Sequence, residues 1–331
     1  MRIGFIGAGR VGCTLGKFLS AVGCQSSGRS VCESVDEGMT GDKTADRVGN
    51  DGLGNVEVVG YYSRNPVHAK EAAEFTDTLY FEDACELVRR SDAVFLTVSD
   101  TAIADVARWL DETCDLTGKI ICHTSGAMSS SVITDSVSSD IYSYSIHPIY
   151  AFSDRFTAID GFDKAYITLE GDERYIDVFK DIFTSRGLGC TVIGADSKVI
   201  YHAAAVYASN FVCGLYGTAV GLMMEAGFDE AAARKALSGL FLANTEGIAE
   251  HGEVAQLTGP VERGDTVTVK KHLAELSKLE ERRAGELRNT EDPDSMTTLY
   301  RLLALETLKV AEKKNKDRSY SDMESLLKED D

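Results

Sequence analysis

The sequence lacks most of the features that mark metal-binding, secreted or nucleic-acid-binding proteins. Its eight cysteines include no C-x-x-C pair and its six histidines no H-E-x-x-H motif, so we expect no metal site. Basic residues number 34 against 53 acidic ones, and a net charge of −19 argues against a basic face for nucleic acid or anionic lipid. No apolar run approaches the roughly eighteen residues of a membrane span, and a strand pattern follows Met1 directly, without room for a signal peptide. These absences predict a cytoplasmic protein with reduced thiols and with no nucleic-acid or membrane partner.

The chain is long enough for two domains. It has 331 residues, 44% of them hydrophobic, so each domain could bury its own core. Strand and helix patterns alternate through residues 1–194, which predicts an α/β domain with a doubly wound parallel sheet. Helical spacing dominates residues 195–318 and predicts an all-α second domain, followed by a frayed, charged tail over 319–331. The Gly/Ser/Asp-rich segment 24–55 has no sustained periodicity and is predicted to be an inserted mobile loop.

The same patterns give approximate bounds for the predicted elements. Strands are predicted at residues 2–6, 56–62, 78–80, 93–98, 119–123, 141–146 and 165–170. Helices are predicted at residues 10–22, 68–75, 82–89, 103–110, 198–224, 229–242, 267–287 and 297–313.

A glycine-rich turn joins the first strand to the first helix. Gly7, Gly9 and Gly12 have the G-x-G-x-x-G spacing, in the strand-to-helix context that separates it from an ordinary glycine-rich turn. Gly7 permits the tight turn, Gly9 leaves room for a pyrophosphate against bare backbone, and Gly12 lets the helix pack close to the strand. The helix N-terminus then offers free N–H groups to the phosphates. The pattern predicts a Rossmann dinucleotide-binding domain whose cofactor contacts Gly7, Ala8, Gly9, Arg10, Val11 and Gly12.

The end of the second predicted strand indicates which dinucleotide is bound. An NAD site usually has Asp or Glu there, to bind the ribose 2′-hydroxyl, whereas this chain has Ser63, Arg64 and Asn65. A guanidinium and a hydroxyl suit a 2′-phosphate, which predicts NADP(H) as the cofactor. Ser63 follows Gly12 by far more than the usual roughly twenty residues, and the inserted segment accounts for the excess. The alternative is that Arg64 is only a solvated surface residue.

Three later strands also end in small or polar residues. Ligands bind outside the carboxyl ends of a parallel sheet, so we expect Val98, Ser99, Asp100 and Ser125 to line a nicotinamide pocket. His147 follows a further strand and is a candidate catalytic residue. Each has an alternative, since Asp100 could cap the helix after it and the His147-Pro148 pair could form only a turn.

Eight stretches of the chain together resemble a known family. They are GAGRVG (7–12), YYSRN (61–65), FLTVSDTAI (95–103), HTSGAMSS (123–130), SIHPIYAF (145–152), SKVIYHAAAVYASNF (197–211), LTGPVERGDTVTVKKHL (257–273) and LYRLLALETL (299–308). The chain resembles Rossmann-like oxidoreductases with a C-terminal domain of unknown function 2520. More broadly it is similar to the 6-phosphogluconate dehydrogenase-like superfamily, which includes ketopantoate, pyrroline-5-carboxylate and β-hydroxyacid reductases. The resemblance implies an all-helical domain that contributes to a homodimer, with the active site between the two domains.

The resemblance also implies a catalytic lysine on the first long helix of the second domain, with a polar residue one turn later. Lys198 and His202 have that i, i+4 relation, and around an ideal helix Ser209 lies about 20° and Asn210 about 120° from Lys198. Either Lys198 or His202 could protonate a ketone oxygen as hydride arrives. His202 occupies the position where asparagine is expected. The alternatives are that Lys198 is a surface lysine and that His202 is a satisfied core histidine. The candidates are Lys198, His202, Asn210 and His147 for catalysis, and Ser125 and Ser209 for substrate binding.

A predicted loop near residues 257–265 holds one more candidate. Arg263 could bind a substrate carboxylate through a bidentate pair. Alternatively, Asp265 caps the following helix and Arg263 tethers the loop to it. His272, a few residues into that helix, is expected to be structural.

Three functions fit these observations. The first is an NADP(H)-dependent reductase of a small oxo acid, with 2-dehydropantoate (ketopantoate) reduced to pantoate for pantothenate biosynthesis as the leading reaction. The second keeps the enzyme class but reduces an imine of the pyrroline-carboxylate kind, or transfers hydride to a deazaflavin. The third is a non-catalytic dinucleotide-binding sensor, motivated by the unusual polar set around Lys198.

Overall fold

The computed structural model describes residues 1–21, 56–286 and 295–328. The chain divides into two compact units, Met1–Gly214 and Leu215–Asp331. The first unit holds an eight-stranded sheet with helices, and every described element that begins in the second unit is a helix. The predicted fold class is therefore confirmed. The predicted mobile loop, 24–55, lies outside the described residues.

The sheet has the strand order β3-β2-β1-β4-β5-β6-β7-β8. Its strands are β1 (Arg2–Ile6), β2 (Glu57–Tyr62), β3 (Leu79–Tyr80), β4 (Ala93–Leu96), β5 (Ile120–His123), β6 (Tyr142–Ile149), β7 (Tyr166–Gly171) and β8 (Gly189–Val192). The first six strands are parallel, as predicted, whereas β7 pairs antiparallel to β6 and parallel to β8. The carboxyl ends of β1, β2, β4, β5 and β6 therefore meet at one edge of the sheet.

Fourteen α-helices lie in the described residues. They are α1 (Arg10–Ser20), α2 (Pro66–Thr76), α3 (Ala84–Arg90), α4 (Ile103–Thr113), α5 (Ser131–Thr134), α6 (Glu173–Thr184), α7 (Lys198–Ala208), α8 (Asn210–Glu225), α9 (Glu230–His251), α10 (Glu253–Gln256), α11 (Pro260–Arg263), α12 (Thr266–Glu286), α13 (Met296–Lys314) and α14 (Ser321–Lys328).

Both faces of the sheet are covered by helices. Successive strand side chains point to opposite faces, so Phe5 and Phe95 pack with α1, α2 and α6, while Leu96 packs with α3 and α4 on the other face. β4 is buried along its whole length because it lies in the middle of the sheet. This three-layer packing fixes the strand ends that carry the candidate site.

The strand β6 extends further than the sequence predicts. His147 and Pro148 lie inside it, opposite Thr168 and Ile167 of β7, and so the alternative of a His-Pro turn is wrong. β5 stops pairing with β6 at Ser145, which leaves one side of β6 without a neighbour beyond that residue. A proline, which has no N–H to donate, is tolerated at such a position.

The helix predicted over 198–224 is interrupted at Ser209, where φ is −127° and ψ is −72°. The division between the compact units falls a few residues later, at Gly214, and not at the predicted boundary near residue 194. The reason is that Lys198 and Tyr201 of α7 hydrogen-bond to β5, β6 and β7 or the loops after them. The first turns of this helix therefore belong with the sheet.

The stretch Ala195–Glu225 is long and apolar enough to cross a membrane on length and composition alone, and 6% of its apolar window is buried. The expectation that no stretch approaches that length is therefore wrong. One such helix is weak evidence for a membrane span, because core helices of soluble proteins can have the same length and composition. The backbone break at Ser209 also divides the stretch, and the buried Lys198 lies near its start.

The second unit has its own core, formed by α11, α12, α13 and α14. The predicted frayed tail is wrong over its described part, because Ser321–Lys328 is a helix. Tyr320, Met323 and Leu327 are buried at a spacing that puts them on one helix face. The charged residues between these positions masked the apolar stripe in the sequence.

Two cysteines are joined in a disulfide. Cys85, in the first turn of α3, is bonded to Cys114 at the end of α4, with their Cα atoms 5.2 Å apart. The expectation of reduced thiols is wrong for this pair, which depends on helix packing and has no sequence motif. Cytoplasmic localisation stays a prediction. The other cysteines in the described residues, Cys13, Cys122, Cys190 and Cys213, are free.

Candidate active site

The glycine turn at the end of β1 is held against the end of β4. Gly7 has a φ of +104°, and a Cβ there would lie 2.5 Å from the carbonyl oxygen of Thr97. A Cβ on Gly12 would lie 2.5 Å from the Thr97 hydroxyl, which itself donates to Gly7 O at 2.8 Å. Both positions therefore require glycine, for the turn and for the close approach of α1 to the sheet.

Gly9, unlike Gly7 and Gly12, is not crowded by the end of β4. A Cβ there would meet only Thr97 O, at 3.9 Å, so the space in front of its α-carbon is open. Gly9 is also the N-cap of α1, and no side chain caps that helix. Bare backbone with free N–H groups suits a pyrophosphate. Of the neighbouring candidates, Ala8 is buried, Val11 is half-buried and Arg10 is exposed.

The residues predicted to select NADP(H) lie at the carboxyl end of β2, next to the glycine turn. Gly7 N donates to Tyr62 O at 2.9 Å, which ties the two strand ends together. Ser63 is half-buried and Arg64 is exposed, and within the described part of the chain Arg64 forms no hydrogen bond or ion pair. The Asn65 side chain accepts from Val67 N at 3.1 Å and caps α2. Asn65 therefore has a structural role besides the predicted one.

A second group of candidates joins the loops after β4 and β5. Ser125 Oγ donates to Asp100 Oδ2 at 2.7 Å and accepts from the backbone N–H of Met128 at 3.1 Å. Asp100 starts a short 3-10 turn but does not cap α4, whose start carries no side-chain cap. The capping alternative for Asp100 is therefore wrong. Val98 is half-buried and Ser99 is exposed beside it.

Two buried groups fix the loop after β5. His123 accepts from Ser125 N at Nδ1, 3.1 Å away, and its Nε2 lies 3.0 Å from Ser129 O. Burial lowers the pKa of His123 to about 4, so the ring is neutral at pH 7. Glu170 of β7 is buried as well, and it accepts from the backbone N–H of Ser130 at 2.7 Å and from its hydroxyl at 2.9 Å.

Lys198 is buried, with 1% of its surface exposed. Its ammonium donates to Ser125 O at 3.0 Å and to Ser145 Oγ at 2.7 Å. Burial lowers the pKa of Lys198 to about 8, while Glu170 and Asp100 act in the opposite direction. The surface-lysine alternative is therefore wrong. At neutral pH a desolvated positive charge lies between the ends of β5 and β6, with one ammonium proton not used by these two bonds.

His147 and His202 meet above Gly126. A Cβ on Gly126 would lie 2.5 Å from His202 Nδ1 and 3.0 Å from His147 Nε2, so both rings pack against the bare α-carbon. Burial and the charge of Lys198 lower the pKa of His147 to about 4. His202 Nδ1 is buried and has no hydrogen-bond partner among the described residues. The alternative of a satisfied core histidine therefore does not describe His202.

The candidates Ser209 and Asn210 are not brought to this group. Ser209 and Asn210 are exposed, and the break between α7 and α8 removes the common helix face that the sequence predicts for them. Arg263 lies in the second unit as the last residue of α11 and is exposed. Asp265 accepts from Thr268 N at 3.0 Å and so caps α12, which agrees with the alternative that this residue is a helix cap. His272 bonds to Tyr300 at 2.9 Å, in keeping with a structural role.

Several members of the group were not predicted from the sequence. Ser145 and Thr168 point inward from β6 and β7, and Tyr201 lies one turn after Lys198 on α7. Spacing from Lys198 could have revealed Tyr201, whereas the partners from strands depend on register. Among the described residues there is no group of three or more histidine, cysteine or acidic side chains that could hold a metal.

Comparison with known proteins gives one family and a common fold. The family model of a domain of unknown function (DUF2520) matches residues 165–307. No curated protein matches the chain significantly. A Thermotoga maritima protein of solved structure has 23% identity and a TM-score of 0.61, with 95% of this chain and 99% of that chain covered.

Two solved reductases have the same fold at lower identity. A pyrroline carboxylate reductase from Plasmodium falciparum, with NADP bound, has 12% identity and a TM-score of 0.52 over 99% of this chain and 98% of that chain. An imine reductase from Pseudomonas has 18% identity and a TM-score of 0.52 over 94% of this chain and 97% of that chain. The protein thus has a Rossmann-like fold, and its residues 165–307 match the DUF2520 family model.

Proposed function

We propose that the protein is an NADP(H)-dependent reductase of a small oxo acid, with 2-dehydropantoate as the leading substrate and pantoate as its product. The observation that carries the proposal is the buried, charged Lys198 at the carboxyl edge of the sheet, the edge that also holds the open backbone of Gly9. An anion or a polarised oxygen is the natural partner of such a desolvated cation.

NADPH, when bound, supplies the hydride to the carbonyl carbon. The residues that would hold it are the turn from Gly7 to Gly12, Ser63 and Arg64, with Val98, Ser99 and Asp100 towards the nicotinamide. Negative charge then develops on the carbonyl oxygen, and Lys198 stabilises that charge and donates the proton that completes the alcohol. His147, neutral at pH 7, is suited to orient the oxygen rather than to protonate it.

Imine reduction is the second candidate, because similar solved structures include a pyrroline carboxylate reductase and an imine reductase. The charge of Lys198 disfavours it, since a protonated imine would meet a like charge in a desolvated site. The test follows NADPH oxidation by its nicotinamide absorbance, first with 2-dehydropantoate, then with other 2-oxo acids, and then with cyclic imines and a deazaflavin. Turnover of imines without turnover of oxo acids would overturn the proposal.

A non-catalytic sensor is the third candidate. Lys198→Ala and His202→Ala are each expected to bind NADPH as the wild type does and to lose turnover. Tight NADPH binding by the wild type, with no turnover of any compound in the panel, would favour the sensor.

Arg64 provides a test of the cofactor preference. Arg64→Ala is expected to raise the Kd for NADPH by about 10- to 100-fold, the loss of one charge-assisted contact, and to change the Kd for NADH by less than about twofold. Fluorescence titration with both dinucleotides measures the difference. Arg108→Ala is the matched control, an exposed arginine on α4 whose partner among the described residues is Asp105. Equal losses for NADPH and NADH would contradict the assignment of Arg64 to the 2′-phosphate.

A homodimer through the helical residues is also part of the proposal. Val199 and Ile200 are 72% exposed and Tyr207 is 71% exposed, all on α7, and Leu240 on α9 is 71% exposed. A second copy would cover apolar side chains that otherwise face water. Light scattering is expected to give twice the chain mass for the wild type and the chain mass for Ile200→Glu. Val67→Glu, on the exposed face of α2, is the control expected to keep the dimer. A wild type with the mass of a single chain would contradict the proposed homodimer.

A further inference from the structure

The hydroxyl of Tyr201 lies between two side chains of the candidate site. It is 2.6 Å from Nδ1 of His147 and 2.7 Å from Oγ1 of Thr168. Thr168 sits opposite His147 in the β6–β7 ladder, and its hydroxyl is also 3.1 Å from His147 O. The chain Thr168–Tyr201–His147 thus joins β7, α7 and β6 through three side chains.

The protons in this chain can be arranged in two ways, because each hydroxyl has one proton to donate. In the first, Thr168 donates to Tyr201, and Tyr201 donates to His147 Nδ1. In the second, Thr168 donates to His147 O, Tyr201 donates to Thr168, and His147 carries its proton on Nδ1. In the 2.7 Å contact Thr168 Oγ1 is the donor and the Tyr201 hydroxyl the acceptor, which leaves the Tyr201 proton for His147 Nδ1 and favours the first arrangement.

We infer that Tyr201 and Thr168 are positioning residues that hold His147 as the Nε2–H tautomer, with that N–H directed at the substrate oxygen. Nε2 lies with Cε1 at the ring edge that faces Gly126, on the side of the unpartnered His202 Nδ1. The role toward substrate rests on the proposed function, whereas the tautomer is a property of the protein alone.

With the inferred tautomer, Lys198 and His147 have different roles in the candidate site. Lys198 holds the positive charge and a proton to transfer, and His147 offers a neutral N–H that fixes the direction of the carbonyl. A neutral donor is retained throughout the reaction, because the low pKa of His147 keeps the ring uncharged at neutral pH. Both groups donate, so the group that they receive must be an acceptor, as a carbonyl or carboxylate oxygen is. An N–H of a protonated imine would face two donors.

The test is a long-range ¹H–¹⁵N correlation spectrum of the full chain labelled with ¹⁵N-histidine. The six histidines are few enough for His147→Gln to identify the His147 signals by difference. We expect the wild type to show His147 protonated at Nε2 and not at Nδ1 near pH 7. In Tyr201→Phe we expect one proton to exchange between Nδ1 and Nε2 of His147, so that both tautomers are populated. A wild type protonated at Nδ1, or a His147 pattern unaffected by Tyr201→Phe, would overturn the inference.

Kinetics give the second readout. Tyr201→Phe is expected to lower kcat by about tenfold, the equivalent of one hydrogen bond, with little change in the Kd for NADPH. Thr168→Val should have a similar effect and Thr168→Ser should restore activity, so the inference stays testable if Tyr201→Phe fails to fold. Tyr166→Phe is the matched control, because Tyr166 also bonds a threonine hydroxyl, that of Thr191 at 2.8 Å, and forms no hydrogen bond to a histidine of the described residues. Absence of turnover in the wild type with the inferred His147 spectrum would reject the proposed function and leave the tautomer standing.

Discussion

Lys198→Met is expected to lower kcat by about a thousandfold while leaving the Kd for NADPH within about twofold of the wild type. Methionine keeps most of the length of the side chain and removes the charge and all three donors. The fold is expected to persist, because Ser145 Oγ still donates to Ser125 O at 3.1 Å when the ammonium is gone. Steady-state assays with the best substrate of the panel, together with a thermal melt, measure both effects.

The matched control is Lys119→Met. Lys119 also donates to a backbone carbonyl, that of Ser91 at 2.7 Å, but it precedes β5 and so lies at the opposite edge of the sheet. We expect its kcat to match the wild type. A comparable loss in both variants would show that the Lys198 effect is structural.

The pH dependence of kcat gives an independent check on Lys198. Its pKa is lowered from 10.5 to about 8 by burial, so the ammonium is charged below that pH and neutral above it. The rate of the wild type should therefore fall as the pH rises through about 8. That alkaline limb should be absent from the residual activity of Lys198→Met.

Gly9→Ala is expected to raise the Kd for NADPH by about a hundredfold without unfolding the protein. The backbone of Gly9 has a φ of −82°, which alanine adopts freely, and the new Cβ would meet only one atom, at 3.9 Å. The cost to folding should stay within about 1 kcal/mol, that of a poorer N-cap. The same methyl group would stand where a pyrophosphate must approach the backbone.

Gly7→Ala is the contrasting variant. Its φ of +104° and the 2.5 Å approach of its Cβ to Thr97 O mean that both folding and binding should suffer. Calorimetric titration with NADPH and thermal melts of both variants distinguish the two cases. Unchanged NADPH affinity in Gly9→Ala would show that the glycine turn does not bind the cofactor.

The sequence predicted the fold class well because its strongest signals are local. Apolar runs such as Arg2–Ile6 and Ala93–Leu96, and the glycine spacing between them, specify strands and a turn without information from elsewhere in the chain. The antiparallel β7, the edge strand β8 and the helix α14 were harder. The exposed pattern of β8 and the charges interspersed in α14 hide the few apolar positions that pack.

The candidate site was predicted only in part, for a similar reason. His147 and Ser125 were found from strand ends, and Lys198 from the family resemblance. Their partners Ser145, Thr168 and Glu170 come from β6 and β7. A shift of about one residue in the register of these strands would change which side chains meet. The break at Ser209 also depends on packing, and it separates Ser209 and Asn210 from the helix face that periodicity assigned to them.

The segment between Ala21 and Val56 is attached to the sheet at the edge where β1 and β2 begin. α1 runs back from the glycine turn, and Glu57 N bonds to Met1 O at 3.0 Å, so the segment leaves and re-enters the fold where β1 and β2 begin. The cofactor edge is at the other end of these strands. A change of length at these attachment points would therefore leave the opposite ends of β1 and β2 in place. For the same reason, a fluorescent protein inserted between Ala21 and Val56 would be joined to the sheet at the edge away from the glycine turn.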